Sequence, residues 1–146
     1  MSDIQKPYIL TILAVLALII GVYSFIRGGL LIYNSIRQLS AGFGGIFELI
    51  IGLLSVAVGV LAFIGGISVV LNRPGFIDAM KRYAIAITAY QIVWVIFTIA
   101  SGRMAGWGSV ILDSMVGVGT YICIISNEDI KKYSVADGNS TVDSSA

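Results

Sequence analysis

Four long apolar runs dominate the chain and predict its secondary structure. They cover residues 8–26, 43–71, 83–100 and 109–125. A helix rises about 1.5 Å per residue and needs about 20 apolar residues to cross a bilayer, so each run suffices, the fourth only just. The second run exceeds that length and should tilt or protrude. We therefore predict an all-α, polytopic membrane protein, an antiparallel bundle of four transmembrane helices.

The composition agrees with a protein whose main solvent is lipid. Hydrophobic residues make up 58% of the chain and charged residues 12%, whereas soluble domains carry about 25% charged residues. So few charges cannot cover a water-facing surface, and the lipid bilayer is the expected partner. The net charge of +1 supplies no basic face, so no nucleic-acid partner is expected.

The runs also set the domain boundaries. Residues 1–133 form one transmembrane domain, and residues 134–146 form a polar tail that we expect to be disordered and cytoplasmic. Residues 28–42 form either an interfacial amphipathic helix or an extension of the first span. The first run could alternatively be a signal peptide with a cleavage site near Ser24, but we expect a membrane span.

Basic residues predict the orientation. With four spans, both termini and the 72–82 loop share one side. That side carries six basic residues: Lys6, Arg73, Lys81, Arg82, Lys131 and Lys132. The other side carries three: Arg27, Arg37 and Arg103. Because cytoplasmic loops are enriched in Lys and Arg, we expect both termini in the cytoplasm of a multi-pass protein of the cell membrane.

Small residues form a stripe along each of the first two runs. In the second run glycine recurs at intervals of seven: Gly45, Gly52, Gly59 and Gly66. In the first run the small residues are Ala14, Ala17, Gly21, Ser24 and Gly28. Such stripes let helix backbones approach closely in lipid, so we predict a tight hairpin of the first two spans. The second stripe could instead pack against another copy or a partner subunit.

Polar residues inside the spans define a candidate site. Glu48 and Asp113 are the acidic residues within the runs, and Gln91 lies in the third run, where its amide needs an interhelical hydrogen-bond partner. Arg37 and Arg103 flank the same side of the membrane. We predict a cluster of these five residues. It is either a structural latch, a protonatable or ion-binding site, or a contact with another subunit.

Several kinds of chemistry are excluded by the residues present. The chain has no histidine and one cysteine, which removes disulfides, His-ligated metals and His-based triads. It also lacks the P-loop, GxSxG, HExxH and CxxC motifs. Cys123, inside an apolar run, is interpreted as a small buried hydrophobe. We expect no cofactor, no metal and no enzymatic activity.

Residues 52–133 resemble a loose class of small four-span membrane proteins of archaea and bacteria. The similarity consists of a Gly/Leu-rich span (residues 52–61), a short basic turn, and a charged stretch after the last span (residues 128–133). It is a similarity of composition, without a diagnostic motif. The resemblance implies the four-span topology, and it implies no activity.

Two functions follow from these observations. The first is a non-enzymatic accessory or scaffold subunit, acting in a larger membrane complex or as a homo-oligomer. The alternative is a small channel or transporter that uses Glu48 and Asp113 as an intramembrane ion or proton site.

Overall fold

The computed structural model describes residues 6–42, 44–102 and 107–136. These ranges contain no strand and five helices: α1 (Tyr8–Ser40), α2 (Ile46–Val70), α3 (Phe76–Ala100), α4 (Trp107–Ser126) and α5 (Glu128–Ala136). Helices α1 to α4 are each long and apolar enough to cross a membrane. The predicted all-α fold, a membrane bundle of four antiparallel helices, is confirmed.

Helix α1 differs most from its predicted bounds. It continues through Arg27 to Ser40, over 33 residues, so residues 28–40 extend the first span and do not form a separate interfacial helix. No proline interrupts this stretch, and Gly28 stays helical because α2 packs directly against it. Arg27 therefore lies inside the helix and does not close it.

The other helices begin close to the predicted positions, apart from α3. Helix α3 begins at Phe76, seven residues before the predicted 83, directly after Gly75, which adopts a left-handed conformation at φ 84° and ends the turn. Phe76 and Met80 are fully buried on the same face as Tyr83, and this burial extends the helix. Phe43, the predicted start of the second span, lies outside the described residues.

Helices α1 and α2 form the closest contact of the bundle. A Cβ atom added at Gly28 would lie 2.8 Å from the carbonyl oxygen of Gly52, and one added at Gly59 would lie 3.0 Å from that of Gly21. Gly66 meets Leu18 and the Ala14 carbonyl in the same way, and Gly45 meets the Ser35 carbonyl. The predicted hairpin is confirmed, and the glycine stripe of α2 packs against α1 of the same chain.

The remaining helices pack in chain order. α2 packs against α3, and α3 packs against α4, whereas α1 and α4 make no extensive contact among the described residues. Gly117 brings α4 against α3, since its added Cβ would lie 2.7 Å from atoms of Ile87 and Thr88. The fourth helix is therefore held mainly by α3.

Helix α5 covers one end of the bundle, which we call the basic end. Ile130 is fully buried there, and the ring of Tyr133 lies 5.8 Å from that of Phe76. The Tyr133 hydroxyl donates a 2.6 Å hydrogen bond to Oδ1 of Asn72 in the α2–α3 turn. Lys6 donates a hydrogen bond to the Val69 carbonyl at the same end. The α1–α2 turn marks the opposite end, called the distal end.

Candidate intramembrane polar site

One layer of the bundle contains the polar groups of three different helices. Arg27 on α1, Gln91 on α3 and Asp113 on α4 occupy this layer, because the antiparallel contacts place these positions level with one another. At about 1.5 Å per residue, Asp113 lies about 9 Å beyond Trp107, where α4 begins, and Gln91 about 22 Å beyond Phe76. The layer is therefore inside the spans, nearer the distal end.

A hydrogen bond between helices joins Gln91 to Asp113. Nε2 of Gln91 donates to Oδ2 of Asp113 at 2.8 Å, and the glutamine is only 3% exposed. Gly117, one turn beyond Asp113, permits the close approach of α3 and α4 that this bond requires. The interhelical hydrogen bond predicted for Gln91 is confirmed, and its partner is one of the two predicted carboxylates.

The arginine of this layer is Arg27. Its guanidinium carbon lies 4.5 Å from the centre of the Trp94 ring, a cation–π contact. Its charge also acts electrostatically on Asp113 and on Tyr90. In the described part of the chain no direct salt bridge links Arg27 to Asp113. The guanidinium is thus held by an aromatic face and balances the carboxylate at longer range.

Arg37, another member of the predicted cluster, does not lie in this layer. Arg37 is exposed near the distal end of α1, where its guanidinium carbon lies 6.0 Å from the centre of the Tyr33 ring. The predicted role of Arg37 beside Asp113 is taken by Arg27, because α1 continues as a helix and carries Arg37 about three turns further away. Arg103 lies outside the described residues.

Glu48 occupies the first turn of α2, at the distal end of the span. A carboxylate there is favoured by the helix dipole, which places partial positive charge on the unpaired backbone N–H groups. Beside it, the ring of Phe47 lies 6.4 Å from that of Phe97. The structure therefore places Glu48 more than one helical turn from the layer of Asp113.

Two buried tyrosines extend the polar layer toward the basic end. Tyr90 is 6% exposed and lies beside Ser55, whose hydroxyl donates to the Ser24 carbonyl at 2.9 Å. Tyr83 is fully buried two turns before Tyr90, on the same face of α3. The predicted cluster includes neither of these tyrosines and does not include Arg27. The sequence signal for the tyrosines is their spacing of seven residues, which places Tyr83 and Tyr90 on one face of a helix, with Gln91 directly after Tyr90.

Three buried polar atoms have no hydrogen-bond partner within the described ranges. They are the hydroxyl oxygens of Tyr83 and Tyr90 and Oε1 of Gln91. Buried polar groups in proteins almost always have a partner, in protein or in ordered water. A groove of about 230 Å³ between α3 and α4 reaches this region, and it is lined by Thr88, Gln91, Ile92, Val95, Ile96, Val110 and Ser114.

The comparisons with known proteins leave the geometry as the only guide to function. No family model, curated protein or solved structure matches the chain. Among the described residues, no three His, Cys, Asp or Glu side chains come together as metal ligands would. Within the layer, Asp113 is the group able to exchange a proton, since arginine keeps its proton and an amide does not titrate.

Proposed function

We propose that the protein is a small membrane transporter or channel that uses Asp113 as its intramembrane site. Gln91 and Arg27 position that carboxylate and balance its charge. The observation that supports this function is the charged layer inside the spans, where ionisable groups are costly and are usually kept for function. In this proposal Asp113 carries the site without Glu48, which lies at the helix start.

A purely structural latch fits the same layer less well. In a structural latch every buried polar group is expected to have a hydrogen-bond or ion-pair partner. A buried polar network that leaves some groups without partners costs stability. Here Arg27 stacks on Trp94 instead of bonding Asp113, and Oε1 of Gln91 lacks a partner within the described ranges. The tight register of α1 and α2 comes from glycine packing and does not need the charges.

An accessory subunit remains the second candidate, and one surface favours it. Helix α4 exposes Leu112 and Met115, 64% and 66% accessible, and a Cβ added at Gly119 would meet no atom within 4 Å. A partner helix could approach this face closely because glycine lies on it. Lipid chains would cover the same face in a protein that acts alone.

Replacing Asp113 by asparagine is expected to abolish transport while the protein, although less stable, still folds. Asparagine keeps the shape and can still accept the hydrogen bond from Gln91, but it cannot exchange a proton. The measurement uses purified protein in liposomes that contain a pH-sensitive dye, with a potassium gradient and valinomycin to set the membrane potential. Wild-type vesicles should change internal pH, and Asp113→Asn vesicles should match protein-free ones.

The matched control for this measurement is Asp78→Asn. Asp78 is exposed in the first turn of α3, outside the polar layer, so its replacement should leave proton flux unchanged. Wild-type vesicles that leak no faster than protein-free vesicles would contradict a proton-transport activity and leave the subunit role. Equal flux in wild type and Asp113→Asn would show that transport does not use this carboxylate.

We further propose that the basic end faces the cytoplasm. Because Arg27 lies inside the spans, the distal end retains two basic residues, Arg37 and Arg103, against six at the basic end. This difference strengthens the charge bias that orients membrane helices.

Cysteine labelling checks the orientation. In a background with Cys123 replaced by alanine, single cysteines are placed at Ser40, exposed at the distal end, or at Glu128, exposed at the basic end. A membrane-impermeant maleimide added to intact cells should label Ser40→Cys and should reach Glu128→Cys only after permeabilisation. The reverse pattern would invert the proposed topology.

A further inference from the structure

The three unpartnered buried atoms lie along one face of α3. Tyr83, Tyr90 and Gln91 are 0%, 6% and 3% exposed. The hydroxyls of Tyr83 and Tyr90 and Oε1 of Gln91 have no hydrogen-bond partner within the described ranges, and the Ser55 hydroxyl beside Tyr90 donates to the Ser24 carbonyl instead. Leaving such a group dry inside a membrane protein is costly, because no solvent compensates for the lost hydrogen bond. Buried water molecules commonly occupy such positions and make two to four hydrogen bonds each.

The neighbouring helices add further polar groups along the same stretch of the core. Tyr83 and Tyr90 are separated by about 10 Å along the axis of α3, and the Asp113 charge acts on both. On the antiparallel α4, the buried Thr120 lies two turns from Asp113 toward the basic end. Helix α2 adds the Ser55 hydroxyl beside Tyr90. Polar groups thus follow the core from Asp113 to Tyr83.

The path ends before the basic end. Phe76 and Met80, both fully buried, follow next along α3 toward that end, and the ring of Tyr133 from α5 packs against Phe76. These side chains form an apolar seal between Tyr83 and the basic end. Access from the polar layer toward the basic end is therefore closed in this conformation.

We infer that a file of ordered water molecules runs through the core from Asp113 to Tyr83, and that the transported species is the proton. The second half of this inference rests on the proposed transport function, whereas the water file does not. Water and tyrosine hydroxyls both accept and donate hydrogen bonds, and the Asp113 carboxylate accepts them and donates once it is protonated, so together they can pass a proton along a chain. Phe76 and Met80 interrupt that chain at the basic end.

The charges around Asp113 favour a proton over a metal cation. Arg27 from α1 balances the carboxylate, and Gln91 from α3 donates a hydrogen bond to it. Tyr83 and Tyr90, also on α3, lie within reach of its charge, and α2 contributes the neutral Ser55. A neutral pair holds a metal cation weakly, because hard cations need several oxygen ligands with negative charge. Proton exchange needs only one carboxylate: Asp113 takes a proton from one water molecule and releases it to the next, while Arg27 keeps its own.

Radiolytic hydroxyl-radical labelling of the wild-type protein in lipid nanodiscs tests for the water file. Radicals generated from bound water modify the side chains next to it, so Tyr83 and Tyr90 should be oxidised although they are buried. Met80, chemically the most reactive of these side chains, and Phe76 serve as dry controls and should stay unmodified. Tyr83 and Tyr90 as unreactive as Phe76 would overturn the water file, and oxidised Met80 would overturn the closed seal.

Proton flux in liposomes tests the transported species. Tyr90→Phe and Tyr83→Phe remove a hydroxyl from the path and should slow flux several-fold, whereas Tyr8→Phe changes a tyrosine that is 87% exposed and should match wild type. Labelled tyrosines without any wild-type proton flux would keep the water file and refute the proton as the transported species. Flux that survives both buried substitutions, with unlabelled tyrosines, would refute the file while transport stands.

Discussion

Replacing Gly52 or Gly59 by leucine is expected to destabilise the native bundle strongly. A Cβ at Gly52 would lie 3.1 Å from the Gly28 carbonyl oxygen and the Ile32 nitrogen, and one at Gly59 would lie 3.0 Å from the Gly21 carbonyl oxygen. These are backbone atoms that cannot rotate away. Extra methylenes in a packed core cost about 1–3 kcal/mol, and a leucine between two backbones should exceed that range.

Detergent unfolding measures this effect. Titration of the purified protein from a mild detergent into sodium dodecyl sulfate, followed by circular dichroism and tryptophan fluorescence, should show unfolding of both variants at lower dodecyl sulfate fractions than wild type. Gly29→Leu is the matched control, since it lies next to Gly28 and a Cβ there meets no atom within 4 Å. If Gly52→Leu and Gly29→Leu unfold together with wild type, the stripe is not an interface.

The second large effect is expected from a double-mutant cycle on Arg27 and Asp113. Asp113→Asn leaves the arginine uncompensated, and Arg27→Gln leaves the carboxylate uncompensated. Removing one partner of a fully buried pair costs about 3–5 kcal/mol, and less here because both side chains are only half-buried. The double variant removes both charges, so its free energy of unfolding should recover part of the loss.

Arg37 provides the control cycle. Its guanidinium lies over Tyr33 at the exposed end of α1, so Arg37→Gln combined with Asp113→Asn should give effects that simply add. Coupling as strong for Arg37 as for Arg27 would mean that Arg37 also interacts with Asp113, as the cluster predicted from the sequence requires. Additive effects in both cycles would show that neither arginine balances Asp113.

The sequence predicted best those features whose physical cause is local. Glycine at every seventh residue is a steric property of one helix face, so it predicted a close helix contact; that α1 fills it, and not another copy or a partner subunit, is shown by the structure. Gln91 had to find a partner, because an amide in lipid without one is costly. The prediction for Arg27 is wrong because a charged residue does not by itself end a span, and the apolar run resumes at Leu30. Only the packing of α1 on α2 shows that the helix continues there.

Other features depend on contacts between distant residues. A tyrosine has an apolar ring and a polar hydroxyl, so the sequence alone does not show whether Tyr83 and Tyr90 are buried. Their burial depends on which face of α3 packs against the neighbouring helices. The charged stretch after α4 becomes helix α5, covering the basic end through the bond between Tyr133 and Asn72, which are 61 residues apart. The predicted tail began at 134, whereas α5 extends to Ala136, and residues 137–146 lie outside the described residues.

The unequal lengths of the helices make the molecule sensitive to the thickness of its host bilayer. At about 1.5 Å per residue, α4 is about 30 Å long and α1 about 50 Å. A thicker hydrocarbon layer can be matched by α1 becoming more upright, but α4 has no spare length and must draw the lipid inward around it. The depth of Asp113 below the lipid headgroups is set by α4. Bilayer thickness should therefore change the energetic cost of its negative charge.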